Sequence, residues 1–322
     1  MRIVYWTKLQ LAKALLIEHL GAVPGVELVV AQTLPALLAA MRGADGIVLY
    51  DAPESEARQV VDVLRTPGNT VRWLHFVSAG REGFDAVGIP AGIAVTYAAG
   101  AVAGTVAEHA MALLLALGRR IPDVLAQQAQ RKWDRIPPAS RSWSLEGKTL
   151  AIVGFGQIGQ EFARRARPFG AKIIGVSRSI KPDTLLDEAR PLSELHGVLP
   201  RADAVVVSIA LTADTHHLLD RAAFAAFKPG AYLVNVARGG VIDQAALCEA
   251  LTSAKLGGAG LDVTDPEPLP ADDPLWDCPN LILSPHFAGA GSPAALARLA
   301  TGAAENLRRF TAGEPLLHLV SA

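Results

Sequence analysis

Three short segments in the second half of the chain each set one charged side chain beside glycine or proline. In Leu233-Val234-Asn235-Val236-Ala237-Arg238-Gly239-Gly240 an apolar run ends on Arg238. In Asp262-Val263-Thr264-Asp265-Pro266-Glu267-Pro268 the carboxylate Glu267 stands between two prolines that stiffen its loop. In Leu283-Ser284-Pro285-His286 a histidine follows another apolar run. Singly, each has an ordinary reading. Arg238 could cap a strand, Glu267 could be one more surface carboxylate, and His286 could be a satisfied loop histidine. Together they form a carboxylate-binding guanidinium, an acid/base imidazole and an acidic partner for that imidazole.

A nucleotide site gives this set a context. The run Gly154-Phe155-Gly156-Gln157-Ile158-Gly159 follows the strand-like TLAIV and opens the helix-like QEFARRARPFG. That is the setting a dinucleotide-binding turn requires. Gly154 permits the tight turn, Gly156 lets backbone approach a pyrophosphate, and Gly159 lets helix and strand pack closely. The helix N-terminus offers free N–H groups and partial positive charge. A methyltransferase can also use a glycine-rich turn after its first strand, so the turn by itself does not name the nucleotide.

The next strand-like segment, Lys172 to Val176, ends in Ser177-Arg178-Ser179-Ile180-Lys181. An NAD site usually carries Asp or Glu there to accept the ribose hydroxyls. No carboxylate occurs from Phe162 to Pro182. Arg178, flanked by Ser177 and Ser179, is suited to a 2′-phosphate. The expectation is NADP(H) preferred, with NAD(H) possible; the alternative is a solvated basic turn.

The elements that must position these residues alternate between strand-like and helix-like, which predicts α/β with parallel sheets. Strands are expected at Arg2 to Trp6, Leu28 to Val30, Gly46 to Tyr50, Trp73 to Val77 and Ile93 to Thr96, with a helix over Leu9 to Leu20. This first stretch reads as one small doubly wound unit. A buried helix is expected at Thr105 to Arg120 and a connecting loop at Arg131 to Gly147. A second unit then starts, with strands at Thr149 to Val153, Lys172 to Val176, Ala204 to Ile209, Tyr232 to Val236, Gly258 to Asp262 and Leu281 to Leu283. A helix over Gly159 to Phe169 and a C-terminal one over Pro293 to Phe310 complete the pattern.

Bulk composition agrees. At 322 residues the chain is long enough for two domains, and 51% hydrophobic residues can fill their cores. A formal net charge of -1 gives no electrostatic footprint for nucleic acid or an anionic membrane. The longest apolar run, Ala110 to Leu117, falls far short of the roughly 20 residues of a membrane span. The N-terminus lacks the apolar stretch of a signal peptide. Cys248 and Cys278 suggest no disulfide framework or zinc site and read as two reduced thiols in a cytoplasmic protein.

Several motifs occur in one order: VSAG at 77–80, VAEHAMALLLAL at 106–117, LEGKTLAIVGFGQIG at 145–159, LTADT at 211–215, VNVARGGVID at 234–243, LDVTDPEPLP at 261–270 and SPHFAGAG at 284–291. In these the chain resembles the D-isomer-specific 2-hydroxyacid dehydrogenases, including NADP-type glyoxylate/hydroxypyruvate reductases and phosphoglycerate dehydrogenases. The resemblance implies two Rossmann-like doubly wound parallel-sheet domains. The cofactor domain, 101–289, would be inserted into a flavodoxin-like substrate domain, 1–100 with 290–322. It implies that Arg238, Glu267 and His286 are catalytic and that the Ala79 and Gly80 amides, with Arg238, hold the substrate carboxylate. Gln157 and Ile158 would meet the pyrophosphate, and Ile209, Ala210 and Thr212 would border the cofactor. Val236, Ala237, Asp262, His286 and Gly289 would lie around the nicotinamide.

The activity implied is hydride transfer between NAD(P)H and a small 2-oxo or 2-hydroxy acid, without a metal. The partner implied is a second copy of the chain, with the apolar 105–120 helix suiting either a dimer interface or a monomer core. Two departures from the family pattern lie near the substrate side. Arg81-Glu82-Gly83-Phe84-Asp85 replaces a shorter apolar-Asp-His run, and Tyr97 stands where Asn is common. Arg81 could add a cation for a larger or doubly acidic substrate, or point to solvent. Competing readings are a same-fold formate or phosphite dehydrogenase and a non-catalytic nucleotide-sensing corepressor. Glu267 argues against the formate enzymes, which pair their histidine with Gln, and the intact Arg, Glu and His set favours catalysis.

Overall fold

The computed structural model describes residues 1–7, 12–78 and 80–320. The chain forms two compact units, one from Met1–Val102 with Gly291–Ala322 and one from Ala103–Ala290.

In the first unit, short apolar runs become the parallel strands β1 (Arg2–Trp6), β2 (Glu27–Ala31), β3 (Gly46–Leu49), β4 (Trp73–Phe76) and β5 (Ala94–Tyr97). Every residue of β3 and β4 is buried, because helices cover both faces of the sheet. The order β2-β1-β3-β4-β5 is the flavodoxin-like arrangement. The helix Pro293–Ala312 returns to this unit. Its Leu299, Ala300, Ala303 and Leu307 share one core with Ile3, Tyr5, Leu16 and Trp73. The described part of the expected Leu9 to Leu20 helix is Lys13–Gly21; residues 9–11 lie outside the described residues.

The second unit holds seven parallel strands: β6 (Thr149–Val153), β7 (Lys172–Ser177), β8 (Glu188–Pro191), β9 (Ala204–Val207), β10 (Ala231–Asn235), β11 (Leu256–Leu261) and β12 (Leu281–Leu283). Their order is β12-β11-β10-β9-β6-β7-β8. The buried helix spans Ala103–Gly118 and packs on β10, β11 and the helix Gln157–Ala166. Its Leu113, Leu114 and Leu117 are core residues of this unit. That packing accounts for its apolar character without a second copy of the chain.

Three expectations need correction. The segment 131–147 is not all loop: Ile136–Arg141 is a short helix, whose prolines fall in the first turn where no N–H is needed. The edge strand β8 was not anticipated. The two cysteines are bonded to each other, with Cα atoms 5.6 Å apart, inside the range a disulfide requires. The bond ties helix Gln244–Thr252 to the residue just past the Pro274–Asp277 turn. The fold brings together positions 30 residues apart, which no short Cys spacing reveals. With the pair bonded, the cysteines no longer argue for a reducing compartment. Among the described residues, no helix is long and apolar enough to cross a membrane.

Candidate active site

The carboxyl ends of six strands of the second unit, β6, β7, β9, β10, β11 and β12, carry the candidate residues. The order of the sheet reverses between β6 and β9, and open α/β sheets bind ligands at such a reversal. The glycine turn lies there. Gly154 has φ +97°, and a Cβ on it would come within 2.6 Å of the Ser208–Ile209 backbone just past β9. The Ser208 hydroxyl donates to Gly154 O at 2.7 Å and closes the turn onto β9. A Cβ on Gly159 would meet Gly154 O at 2.3 Å, whereas one on Gly156 would meet nothing within 4 Å. The helix Gln157–Ala166 starts at Gly156 with no side-chain cap. Its first N–H groups are thus available to an anion, and the backbone at Gly156 is open to approach, which fits a dinucleotide pyrophosphate.

Arg178 is exposed on the turn after β7, between Ser177 and Ser179. It has no ion-pair or hydrogen-bond partner among the described residues. Ile209, Ala210 and Thr212 follow β9, where Thr215 Oγ accepts the Thr212 amide at 2.7 Å and donates to Ala210 O at 2.7 Å. Val236 and Ala237 follow β10 and are buried.

Arg238, Glu267 and His286 follow β10, β11 and β12, three neighbouring strands. Buried Asn235 shapes the turn that projects Arg238: its Oδ1 accepts the Ala237 amide and its Nδ2 donates to Arg238 O, both at 2.9 Å. A Cβ on Gly239 would sit 2.0 Å from the Thr264 carbonyl carbon. Only glycine there lets the loop carrying Glu267 close against the Arg238 turn. Glu267 Oε1 accepts the Thr264 amide at 3.0 Å, and Oε2 lies 2.7 Å from His286 Nδ1.

The hydrogen bond to Glu267 holds the His286 pKa above its ordinary value; burial and the Arg238 charge oppose it, and the Glu267 and Asp262 charges add to it. Burial pushes the Glu267 carboxyl up, but the bonds from His286 and the Thr264 amide, with the nearby His286 and Arg238 charges, leave it below the usual range. Both shifts favour the ion-paired form, with His286 charged and Glu267 ionised. With its Nδ1 proton on Glu267, His286 has Nε2 for proton exchange.

His286 itself has φ 50°, a backbone state uncommon outside glycine. Asp262, almost fully buried, supports it from below. Its carbonyl accepts the His286 amide at 2.8 Å, and its carboxylate accepts the Phe287 and Ala288 amides at 3.2 and 3.0 Å. Asp262 was expected near the cofactor; what the structure shows is that it holds the loop carrying His286. Gly289 ends the same loop. Sequence reasoning missed Asn235, His109 and Ser284; Asn235 could have been suspected as a polar residue inside an apolar strand.

Gly80 belongs to the first unit and is buried, with its carbonyl held by the Ser78 hydroxyl at 2.8 Å. Ser78 Oγ also accepts the Asp51 amide at 3.1 Å, and Asp51 Oδ2 accepts the Gly83 amide at 3.2 Å. Ala79 lies outside the described residues. Arg81 neither stands alone nor points freely to solvent: it pairs with Asp85 at 3.1 Å. Tyr97 ends β5, its ring 6.2 Å from that of His318.

Comparison with known proteins agrees with this fold. Residues 111–288 match the family described as D-isomer specific 2-hydroxyacid dehydrogenase, NAD binding domain. The chain is 37% identical over 235 residues to a glyoxylate reductase of Thermococcus litoralis, covering 71% of this chain and 70% of that one. It is 35% identical over 282 residues to a D-3-phosphoglycerate dehydrogenase of Mycobacterium tuberculosis, covering 86% of this chain and 51% of that one. The chain thus spans about half the length of that phosphoglycerate dehydrogenase. A solved structure of a Thermus thermophilus protein is 34% identical, with a TM-score of 0.82 and full coverage of both chains. The chain belongs to the D-isomer specific 2-hydroxyacid dehydrogenase family.

Proposed function

We propose that the protein reduces a small 2-oxo acid of the glyoxylate or hydroxypyruvate type to its 2-hydroxy acid, with NADPH preferred over NADH. The observation that carries the reading is the 2.7 Å contact of His286 Nδ1 with Glu267 Oε2, beside the Arg238 charge. The Arg238 guanidinium takes the substrate carboxylate and stabilises negative charge growing on the carbonyl oxygen. The amides of Ala79 and Gly80 assist with the carboxylate. His286, cationic, gives its Nε2 proton to the nascent alkoxide, and Glu267 keeps the ring oriented and charged. The nicotinamide, when bound, supplies the hydride.

Gly154, Gly156, Gln157, Ile158 and Gly159 hold the pyrophosphate in this reading. Ser177, Arg178 and Ser179 take the 2′-phosphate, a role supported by the missing carboxylate after β7 and the unpaired guanidinium. Ile209, Ala210, Thr212, Val236, Ala237, Asp262 and Gly289 line the rest of the cofactor. A homodimer is part of the proposal. Leu125, Trp133 and Ile136 are exposed on and beside the short helices that follow Ala103–Gly118, and such apolar exposure suits a partner surface.

The test is loss of reduced-nicotinamide absorbance with purified protein, a panel of 2-oxo acids, and NADPH and NADH in parallel. Turnover of glyoxylate or hydroxypyruvate with higher kcat/KM for NADPH is the expected result. Silence across the panel with NADPH binding intact would overturn the substrate class, and a preference for NADH would overturn the role of Arg178.

A further inference from the structure

The loop that carries His286 is held from a place distant in sequence. His109 lies on the helix Ala103–Gly118, 175 residues before Ser284. Its Nε2 is 2.9 Å from Ser284 Oγ, and that hydroxyl is 2.6 Å from Asp262 Oδ1. Hydrogen counting fixes the direction of this chain. A carboxylate only accepts, so Ser284 spends its single hydroxyl proton on Asp262. The hydroxyl oxygen then has only lone pairs for His109, so His109 Nε2 carries the proton and donates. The imidazole edge also meets the Phe287 ring, centroids 4.8 Å apart at 68°.

Ser284 stands two residues before His286, and Phe287 and Ala288 follow it directly. All three are bonded to the one Asp262 carboxylate. His109 therefore grips the loop twice, through the Ser284 hydroxyl on one side of His286 and the Phe287 ring on the other. The left-handed backbone at His286 persists only where its surroundings over-determine it.

We propose that His109, acting through Ser284 and Asp262, is a positioning residue that holds the His286 imidazole on Glu267 and aims its Nε2. The inference rests on the reading of His286 as the proton donor. A histidine that merely filled the core would affect stability alone. A positioning histidine affects kcat at unchanged cofactor affinity, because small displacements of a reacting group cost rate steeply.

The experiment compares His109→Phe, His109→Gln, Ser284→Ala and the His109→Phe/Ser284→Ala double variant by kcat, NADPH Kd, and NMR titration of the His286 ring. His109→Phe keeps the ring contact and removes the donor; kcat should fall about tenfold or more with Kd within about twofold. His109→Gln, which restores an N–H donor, should recover kcat to within about threefold. The double variant should be no worse than either single one, since both break one chain. The groups facing His286, namely Glu267, Arg238 and Asp262, are kept in every variant, so its titration should move toward the ordinary value only through loosened positioning. If His109→Phe does not fold, Ser284→Ala removes the same bond from the loop side.

Unchanged kcat and unchanged His286 titration in the folded variants would overturn the inference, as would losses that multiply in the double variant. A wild-type protein that turns over no 2-oxo acid, yet whose His286 titration shifts in His109→Phe, would leave the positioning role standing and sink the proposed reaction.

Discussion

The two units solve the same architectural problem and leave different chemistry at the same topological place. Each parallel sheet reverses its order once, between β1 and β3 in the first unit and between β6 and β9 in the second. At the second reversal stand glycines, uncapped N–H groups and, on neighbouring strand ends, Arg238, Glu267 and His286. At the first is a cavity of about 160 Å³ lined by Trp6, Thr7, Tyr50, Asp51, Ala52, Pro53 and Glu56. Burial pushes the Tyr50 hydroxyl far above its ordinary range, and pushes Asp51 up against the opposing Gly83 amide. Layer topology thus supplies a crevice, and only the residues at the strand ends decide whether it suits a phosphate or something else.

One histidine in each unit states the contrast most directly. His75, in β4, is buried; its Nδ1 is 2.8 Å from Thr96 Oγ, and burial with the nearby His318 lowers its pKa to about 3. His286 is half-exposed, paired with a carboxylate and shifted the other way. One environment favours the neutral ring and the other favours the charged one.

Substitution of both breaks or upholds that contrast. His286→Asn should lower kcat by about 10²- to 10⁴-fold with NADPH affinity near normal. His75→Asn should leave kcat within a few-fold and lower the thermal midpoint instead. Comparable loss of turnover in the two variants would refute the division of labour. Next in size, Arg178→Ala should cut kcat/KM for NADPH by about 10- to 100-fold, the worth of a charge-assisted contact, and hardly alter that for NADH. Equal losses with both cofactors would deny Arg178 the 2′-phosphate.

The pH profiles should diverge as well. Reduction requires His286 protonated, so kcat should hold at low pH and fall as pH rises through its raised pKa. Glu267→Gln should move that fall to lower pH, and an unmoved limb would show that Glu267 does not set it. Stability should follow His75 in the opposite sense. Its folded pKa is depressed, so its contribution is present above the unfolded value of about 6.5 and is lost as pH drops toward about 3, by at most about 1.4 kcal/mol per pH unit. Denaturant titrations of wild type and His75→Asn across that window would test it, the variant showing the flatter curve.

Much of this was legible in the sequence because the signals are local. An apolar run ending at Gly154 or Arg238 announces both a buried parallel strand and the candidate site residue at its end. Where the chain departs from expectation, the cause is non-local or the local signal is weak. Glu188–Pro191 forms an edge strand from Glu-Ala-Arg-Pro, residues of low β-propensity that an edge tolerates because only one side is paired. Ile136–Arg141 is helical despite two prolines because they occupy its first turn. The Cys248–Cys278 bond and the His109–Ser284 contact depend on positions far apart in the chain, and neither residue pair carries a spacing that would announce it.

The return of the Pro293–Ala312 helix to the core of the first unit has a bearing on biosynthesis. The sheet of that unit is complete once Tyr97 has been made, but Leu299, Ala303 and Leu307 reach Ile3, Tyr5 and Trp73 only after the whole of Ala103–Ala290 has been translated. At about 5–20 residues per second, a half-covered sheet waits roughly 10–40 s on the ribosome for its last helix. The nucleotide-binding unit, contiguous in sequence, can fold in that interval. The unit whose sheet is made first is thus completed only after the unit inserted within it, and its uncovered face is open to chaperones and proteases in the interval.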